Sequence, residues 1–305
     1  MNFNQLLINK FNDSISNNIK LSNYSWFNLG GPAEFFFKPK NNRELIDFLK
    51  DNKKYKLNIT TLGAGSNTLI RDNGVKGVVI KLGPNYSNIN LLNNHTLEIG
   101  AATLDKKIAN FARENEIGNL EFLSCIPGSI GGAVIMNSGC YGDDISKILI
   151  SVKAIDFKNC IEREIGNEDI KFFYRGTNLP NEMIITSVKL RGISKSSEEI
   201  EKKQLELIEK KKLSQPSQIK TCGSTFKNII GKKQAWELIK ETGCDQLKEG
   251  DAFISKKHCN FFVNNGKAKS EDIEKLINKV KQTVKKKTGV DLELEIKIIG
   301  DKKKV

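Results

Sequence analysis

Histidine is almost missing from this chain, with only His95 and His258 in 305 residues, which argues against a metal centre built on imidazoles. No stretch approaches the roughly 18 uninterrupted apolar residues of a membrane span. The segment 1–20 has no long apolar run and does not read as a secretory signal. Six cysteines are present (Cys125, Cys140, Cys160, Cys222, Cys244, Cys259), none in a CxxC pair. They are expected as thiols in a reducing cytoplasm, and no metal site is expected. Acidic side chains are also in short supply, 36 against 49 Lys plus Arg, for a net charge of +13. That charge suits either a nucleic-acid or anionic-membrane surface, or a general field favouring small anionic ligands. Apolar residues at 38% exclude a wholly disordered chain. At about 150 residues per domain, the length allows two domains or three.

The pattern is α+β. Residues 43–53 form an amphipathic helix entered from Asn41-Asn42, and 58–62, 75–82 and 96–101 read as strands. A helix over 104–116 carries Leu104, Ile108, Phe111 and Ala112 on one stripe, and 151–157 and 183–190 are further strands. The segment 195–213 is dense in Lys and Glu with a thin apolar seam, and reads as a solvated helix connecting two domains. Beyond it come a helix at 232–241, a strand at 260–263 and a helix at 270–287. That last helix has acids in its first turn, lysines in its last and Gly289 as its stop. Residues 291–299 alternate as a strand, with Leu292, Leu294, Ile296 and Ile298 on one face. The tail 301–305 is expected to fray.

Two glycine-rich segments could carry chemistry. Gly63-Ala64-Gly65-Ser66-Asn67 follows a strand, and its glycines would let backbone N–H groups approach an anion while Ser66 and Asn67 meet hydroxyls. It is neither GxGxxG nor a Walker loop, so an ordinary tight turn explains it equally well. Cys125 to Gly142 reads CIPGSIGGAVIMNSGCYG, with Pro127, Gly128, Ser129, Gly131, Gly132 and Ala133 at its centre. Two such turns suggest two backbone surfaces meeting one extended ligand with a pyrophosphate. Gly223-Ser224-Thr225-Phe226-Lys227-Asn228 gathers a hydroxyl, a cation and an amide. Without a partner histidine, Ser224 is no triad nucleophile, though it could donate a proton or simply occupy a turn. Arg175 follows an aromatic pair and suits a carboxylate or a surface ion pair. Glu295 lies on the polar face of the last strand.

These segments, together with Trp26-Phe27-Asn28-Leu29-Gly30-Gly31-Pro32-Ala33, Met136-Asn137, Tyr174-Arg175 and Glu295-Ile296-Lys297-Ile298-Ile299-Gly300, resemble in order the signatures of the UDP-N-acetylenolpyruvoylglucosamine reductase family. The resemblance runs from about residue 21 to 300. It implies a two-subdomain FAD-binding region of the PCMH type over 1–82 and 83–194, then a smaller α+β substrate-binding domain over 195–305. It implies non-covalent FAD, NADPH as co-substrate and a UDP-sugar substrate in a cytoplasmic step of peptidoglycan precursor synthesis. No nucleic-acid partner and no membrane insertion are expected. The implied reaction passes hydride from FAD N5 to the enolpyruvyl methylene carbon and then a proton to its neighbour.

Carried over by resemblance, Ser224 is the proton donor, Arg175 holds the substrate carboxylate and Glu295 works beside it. Lys227 and Asn228 contact substrate. The residues Gly63 to Asn67, Pro127 to Ser129, Gly131 to Ala133 and Asn137 hold the cofactor. Lys297 stands where relatives often have Arg, and Ile229 where Pro is common. Cys222 reads as a bystander, and the lack of an insertion carrying an extra tyrosine after Arg175 marks the shorter type. Two other readings compete. One is an oxidase of the same binding fold with tethered flavin, which His95, outside any glycine motif, does not favour. The other is a nucleic-acid binder, for which the spread lysines form no motif.

Overall fold

The computed structural model describes residues 8–229, 231 and 233–302. In chain order the main elements are β1 Ile15–Lys20, β2 Pro32–Phe37, α1 Asn42–Tyr55, β3 Ile59–Thr61, β4 Thr68–Ile70, β5 Val75–Ile80, β6 Ile89–Asn93, β7 Thr96–Gly100 and α2 Asp105–Glu114. They continue with α3 Ile130–Ile135, β8 Leu149–Asp156, β9 Ile161–Gly166, β10 Met183–Arg191, α4 Ser197–Ser214, α5 Ala235–Glu241, β11 Lys248–Glu249, β12 Ala252–Ile254, β13 Phe262–Asn264, α6 Ser270–Thr288 and β14 Lys297–Ile299. The class is α+β, as expected. Among the described residues no helix is long and apolar enough to cross a membrane.

Two compact units share the chain discontinuously. The first holds the chain through Ser16, Phe36–Ala64 and Val78–Lys211; the second holds Asn17–Phe35, Gly65–Gly77 and everything from Lys212 on.

The first unit centres on a five-stranded antiparallel sheet in the order β9-β8-β10-β7-β6. Its core joins Val152 and Ala154 of β8 and Val188 and Leu190 of β10 to Ile108, Ala109 and Ala112 of α2. Leu104, expected on the buried stripe, instead caps α2 and is 55% exposed, because the helix starts one residue later. Asn41 caps α1 as expected, its Oδ1 accepting from the Glu44 N–H at 3.0 Å. Helix α4 is not a free connector. Its seam residues Ile200 and Leu207 are buried, and the buried Gln204 side chain donates to the Ala109 carbonyl of α2 at 2.9 Å. The stretch 195–211 belongs to the first unit.

The second unit packs α5, α6 and the antiparallel sheet β11-β12-β13 around Phe226, Phe262, Ile273, Leu276 and Val280, with Phe27, Leu29 and Leu69 from the early chain. The expected start of the 232–241 helix at Lys232 lies outside the described residues, and the helix begins at Ala235. Asp72 accepts from the Ser270 and Glu271 N–H groups at 3.0 and 3.1 Å, an acid on the positive end of α6. Arg71 grips Glu274 with Nε and Nη2 at 2.8 and 3.0 Å and reaches the Gly300 carbonyl with Nη1 at 2.8 Å. The expected strand 291–299 keeps its alternation, with Leu292 and Ile296 fully buried, but not its continuity. Leu294 bridges antiparallel to Phe226, the chain bends at Glu295 and Ile296, and Lys297–Ile299 then runs parallel to β4. A single periodicity conceals this exchange of partner strands.

Candidate functional site

The first glycine segment straddles the unit boundary, Gly63 and Ala64 in one unit and Gly65 to Asn67 in the other. In the first unit, Gly63 faces the second glycine segment: a Cβ on Gly63 would come within 3.1 Å of Ser129 Oγ. Gly132 is more open, and a Cβ there would meet nothing nearer than the same hydroxyl at 3.7 Å. The two turns are therefore neighbours across a narrow cradle that side chains would fill. This fits an anionic, extended group such as the pyrophosphate of FAD lying along backbone. Lys81, missed in the sequence as one lysine among many, donates its Nζ to the Gly63 carbonyl at the rim of this cradle. Burial lowers its pKa, reinforced by the Lys38 charge.

The second glycine segment is fixed from behind. The Ile130 N–H donates to the Thr103 carbonyl at 2.9 Å and the Gly131 N–H to Ala101 at 3.0 Å. The Asp105 N–H donates to Gly128 at 3.1 Å. The Asp105 side chain is wholly buried and neither oxygen has a partner among the described residues, so burial raises its pKa well above the usual carboxylate range. Asn137, buried and at positive φ, accepts from the Ser146 N–H at 3.1 Å and donates to the Phe173 carbonyl at 3.4 Å. It thereby links this segment to the hairpin that carries Arg175. Phe172 pairs with Thr177 and Phe173 with Gly176, leaving Tyr174-Arg175 as a two-residue loop with Arg175 at φ +59°. The Arg175 guanidinium stacks on the Tyr174 ring at 5.0 Å and donates Nη2 to the Gly139 carbonyl at 3.0 Å. The second glycine segment and Arg175 thus belong to one hydrogen-bonded patch of the first unit.

In the second unit Gly65 (φ +70°) is required by its turn: a Cβ would collide with the Tyr24 carbonyl. The Trp26 N–H donates to the Gly65 carbonyl at 3.0 Å. Asn67 serves the last strand, its Nδ2 donating to the Glu295 carbonyl at 3.0 Å while its own carbonyl accepts from the Lys297 N–H at 2.9 Å. The Glu295 N–H in turn donates to the Thr225 carbonyl at 2.9 Å, one residue from Ser224. Ser224, half-buried, bridges antiparallel to Phe261.

Asn260 holds this Ser224 segment like a rung of sheet. Its Oδ1 accepts from the Phe226 N–H at 3.0 Å, its Nδ2 donates to the Phe226 carbonyl at 2.8 Å, and its carbonyl accepts from the Thr225 N–H at 2.8 Å. A single asparagine in an apolar run carries no spacing signal, so the sequence alone does not mark Asn260. Lys227 meets Glu293 at 3.5 Å in an exposed pair, and the Asn228 side chain accepts from the Ala235 N–H at 3.3 Å at the start of α5. Cys222 is fully buried against the Gly65 and Thr68 carbonyls at 3.6 and 3.4 Å, and burial pushes its thiol up to about 12. That makes it an inert packing group. No cluster of His, Cys, Asp and Glu among the described residues could hold a metal ion.

The molecule therefore presents a glycine cradle in one unit and a serine–carboxylate pair of segments in the other. Residues 33–160 match the model of an FAD-binding domain, and residues 215–299 match the C-terminal domain of UDP-N-acetylenolpyruvoylglucosamine reductase. These two matches define a class, the FAD-binding oxidoreductases. A UDP-N-acetylenolpyruvoylglucosamine reductase of Pelagibacter ubique is 48% identical over 96% of this chain and 98% of its own. Its counterpart in Rickettsia akari is 45% identical over 92% and 94%. The crystal structure of the enzyme from Thermus caldophilus superposes with a TM-score of 0.81 at 31% identity, covering 93% of this chain and 98% of that one. The chain belongs to the UDP-N-acetylenolpyruvoylglucosamine reductase family.

Proposed function

We propose that this chain is the cytoplasmic, NADPH-dependent flavoenzyme that reduces UDP-N-acetylglucosamine enolpyruvate to UDP-N-acetylmuramate for peptidoglycan. The observation that carries this reading is the 2.9 Å bond from the Glu295 N–H to the Thr225 carbonyl, which joins the proton-donor segment to the carboxylate segment. FAD, when bound, would supply the two-electron relay between NADPH and the enolpyruvyl carbon. Gly63, Ala64, Pro127, Gly128, Ser129, Gly131, Gly132 and Ala133 would hold it along the cradle, with Gly65, Ser66, Asn67 and Asn137 fixing the turns that shape it. The segments 1–82 and 83–194 would make up its binding region, and 195–305 would bear most of the substrate contacts.

Arg175 would bind the substrate carboxylate with its planar fork and stabilise the negative charge that develops there on reduction. Ser224 would then deliver a proton to the carbon beside that carboxylate, and Glu295 would act with it. The exposed Lys227–Glu293 pair is of the weak surface kind, so the ammonium can be drawn to a substrate pyrophosphate, with Asn228 beside it.

Ser224→Ala tests this reading. Flavin reduction by NADPH should stay within about twofold, while reoxidation by the enolpyruvyl substrate should slow by about 10²–10⁴-fold. Stopped-flow measurement of the two half-reactions checks it, and equal losses in both would contradict it.

A further inference from the structure

Strands β3 and β5 run parallel, with Thr61 opposite Ile80, and end side by side in the first unit. The Leu62 N–H donates to the Ile80 carbonyl at 2.9 Å, and the next residues out are Gly63 beyond β3 and Lys81 beyond β5. Loops that leave the carboxyl ends of adjacent parallel strands open a crevice for ligands. The Lys81 N–H donates to the Phe37 carbonyl at 3.0 Å, so Lys38, which follows Phe37, emerges close by. The Lys38 ammonium lies over the Phe36 ring, 5.3 Å from its centroid.

Lys81 is half-buried. Among the described residues its ammonium donates to the Gly63 carbonyl and forms no ion pair with a carboxylate. An ammonium withdrawn from water is costly without an opposite charge. The charged group that bears on it is Lys38, of like sign, and burial and that repulsion both lower the Lys81 pKa. An anion lodged beside Lys81 would offset both penalties. A lysine ammonium has three donors, and with one on Gly63 two remain for phosphate oxygens.

We infer that Lys81 is the cation that meets the diphosphate of FAD at the cradle between Gly63 and Ser129. This rests on the proposed function, in which that cradle holds FAD. Gly63, Ala64, Pro127, Gly128, Ser129, Gly131, Gly132 and Ala133 are all uncharged, and each phosphate of FAD carries a negative charge. The glycine turns supply close backbone and a hydroxyl, and Lys81 supplies the charge that they lack.

The experiment titrates FAD into the full-length chain freed of flavin and follows flavin fluorescence. The native chain is compared with Lys81→Met and Lys81→Arg. Lys81→Met should bind FAD about 10- to 100-fold more weakly. Lys81→Arg keeps the charge and should stay within about fivefold of the native chain. Between about 50 and about 200 mM salt, native affinity should fall more steeply than that of Lys81→Met, which has lost a charge contact. Thermal melts without flavin separate this role from a structural one. An unpaired, half-buried charge adds little stability, so Lys81→Met should melt at or above the native temperature. Equal FAD affinity of the native chain and Lys81→Met, or equal salt slopes, would overturn the proposal. So would a loss that Lys81→Arg shares, or a flavin-free Lys81→Met that melts well below the native chain, since either makes Lys81 a support of the Gly63 turn. A native chain that binds no FAD would count against the proposed function itself, and this inference would fall with it.

Discussion

Asp105 sits where the helix α2 N-terminus meets the back of the glycine segment, fully buried with no partner for either oxygen among the described residues. Its folded pKa is raised, so the folded chain keeps the proton while the unfolded chain releases it near the ordinary value. The contribution to stability is therefore fully present below about pH 4 and is lost progressively as pH rises toward the folded pKa. Asp105→Asn removes this dependence. Urea denaturation should give an Asn variant whose advantage over the native chain grows from about pH 5 to about pH 8. A constant difference across that range would show that the carboxyl is ionised in the folded state. The two glycine positions behave differently at this scale. Gly65→Ala should cost more than about 2 kcal/mol, because φ is positive and the Tyr24 carbonyl blocks the methyl. Gly132→Ala should leave stability within about 1 kcal/mol, since its surroundings are open, and thermal melts of the two variants check the contrast.

Strand order within the second unit depends on a side chain that imitates backbone. Asn260 contributes a donor and an acceptor to Phe226, so Asn260→Ala should leave both groups buried and unpaired, at a cost of about 2–4 kcal/mol. The same variant should slow the substrate half-reaction more than flavin reduction, because the segment it frees carries Ser224. Urea titration and stopped-flow measure the two effects. Elements with a strong period were legible in the sequence: α1 with its Asn41 cap, α6 with its acid-to-lysine polarity and Gly289, and the paired strands β8 and β10. The order of the motifs likewise carried the family. What was hidden depends on partners remote in sequence. The exchange of strand partners at Glu295 leaves the alternation of Leu292 and Ile296 untouched, so no pattern betrays it. Helix α4 looked solvated because one buried glutamine and two aliphatic residues are a thin seam among lysines. Asn260, Lys81 and Asn67 take their roles from carbonyls far along the chain.

The excess charge belongs to the whole molecule, and it is what remains after every acid is set against a base. On α4 and α6 lysines pair with neighbours, Lys210 with Glu206 at 2.6 Å, Lys275 with Glu271 at 2.8 Å and Lys285 with Asp291 at 3.0 Å. Raising salt from about 50 to about 200 mM should therefore raise the KM for the proposed substrates, NADPH and the UDP-sugar, by less than about threefold. Steady-state kinetics measures this, and a much steeper rise would mean that the net +13 acts as a focused field. The path of the chain has a consequence for the order of synthesis. The second unit takes Asn17–Phe35 and Gly65–Gly77 from the early chain and the rest from Lys212 onward. On the ribosome Phe27, Leu29 and Leu69 emerge long before Phe226, Phe262 and α6, the groups that cover them. Strand β4 waits longest, since its partner Lys297–Ile299 follows it by 229 positions in the chain. The nascent chain must carry an exposed apolar surface until those distant partners are made, and closing so long a loop makes this unit the slower to fold.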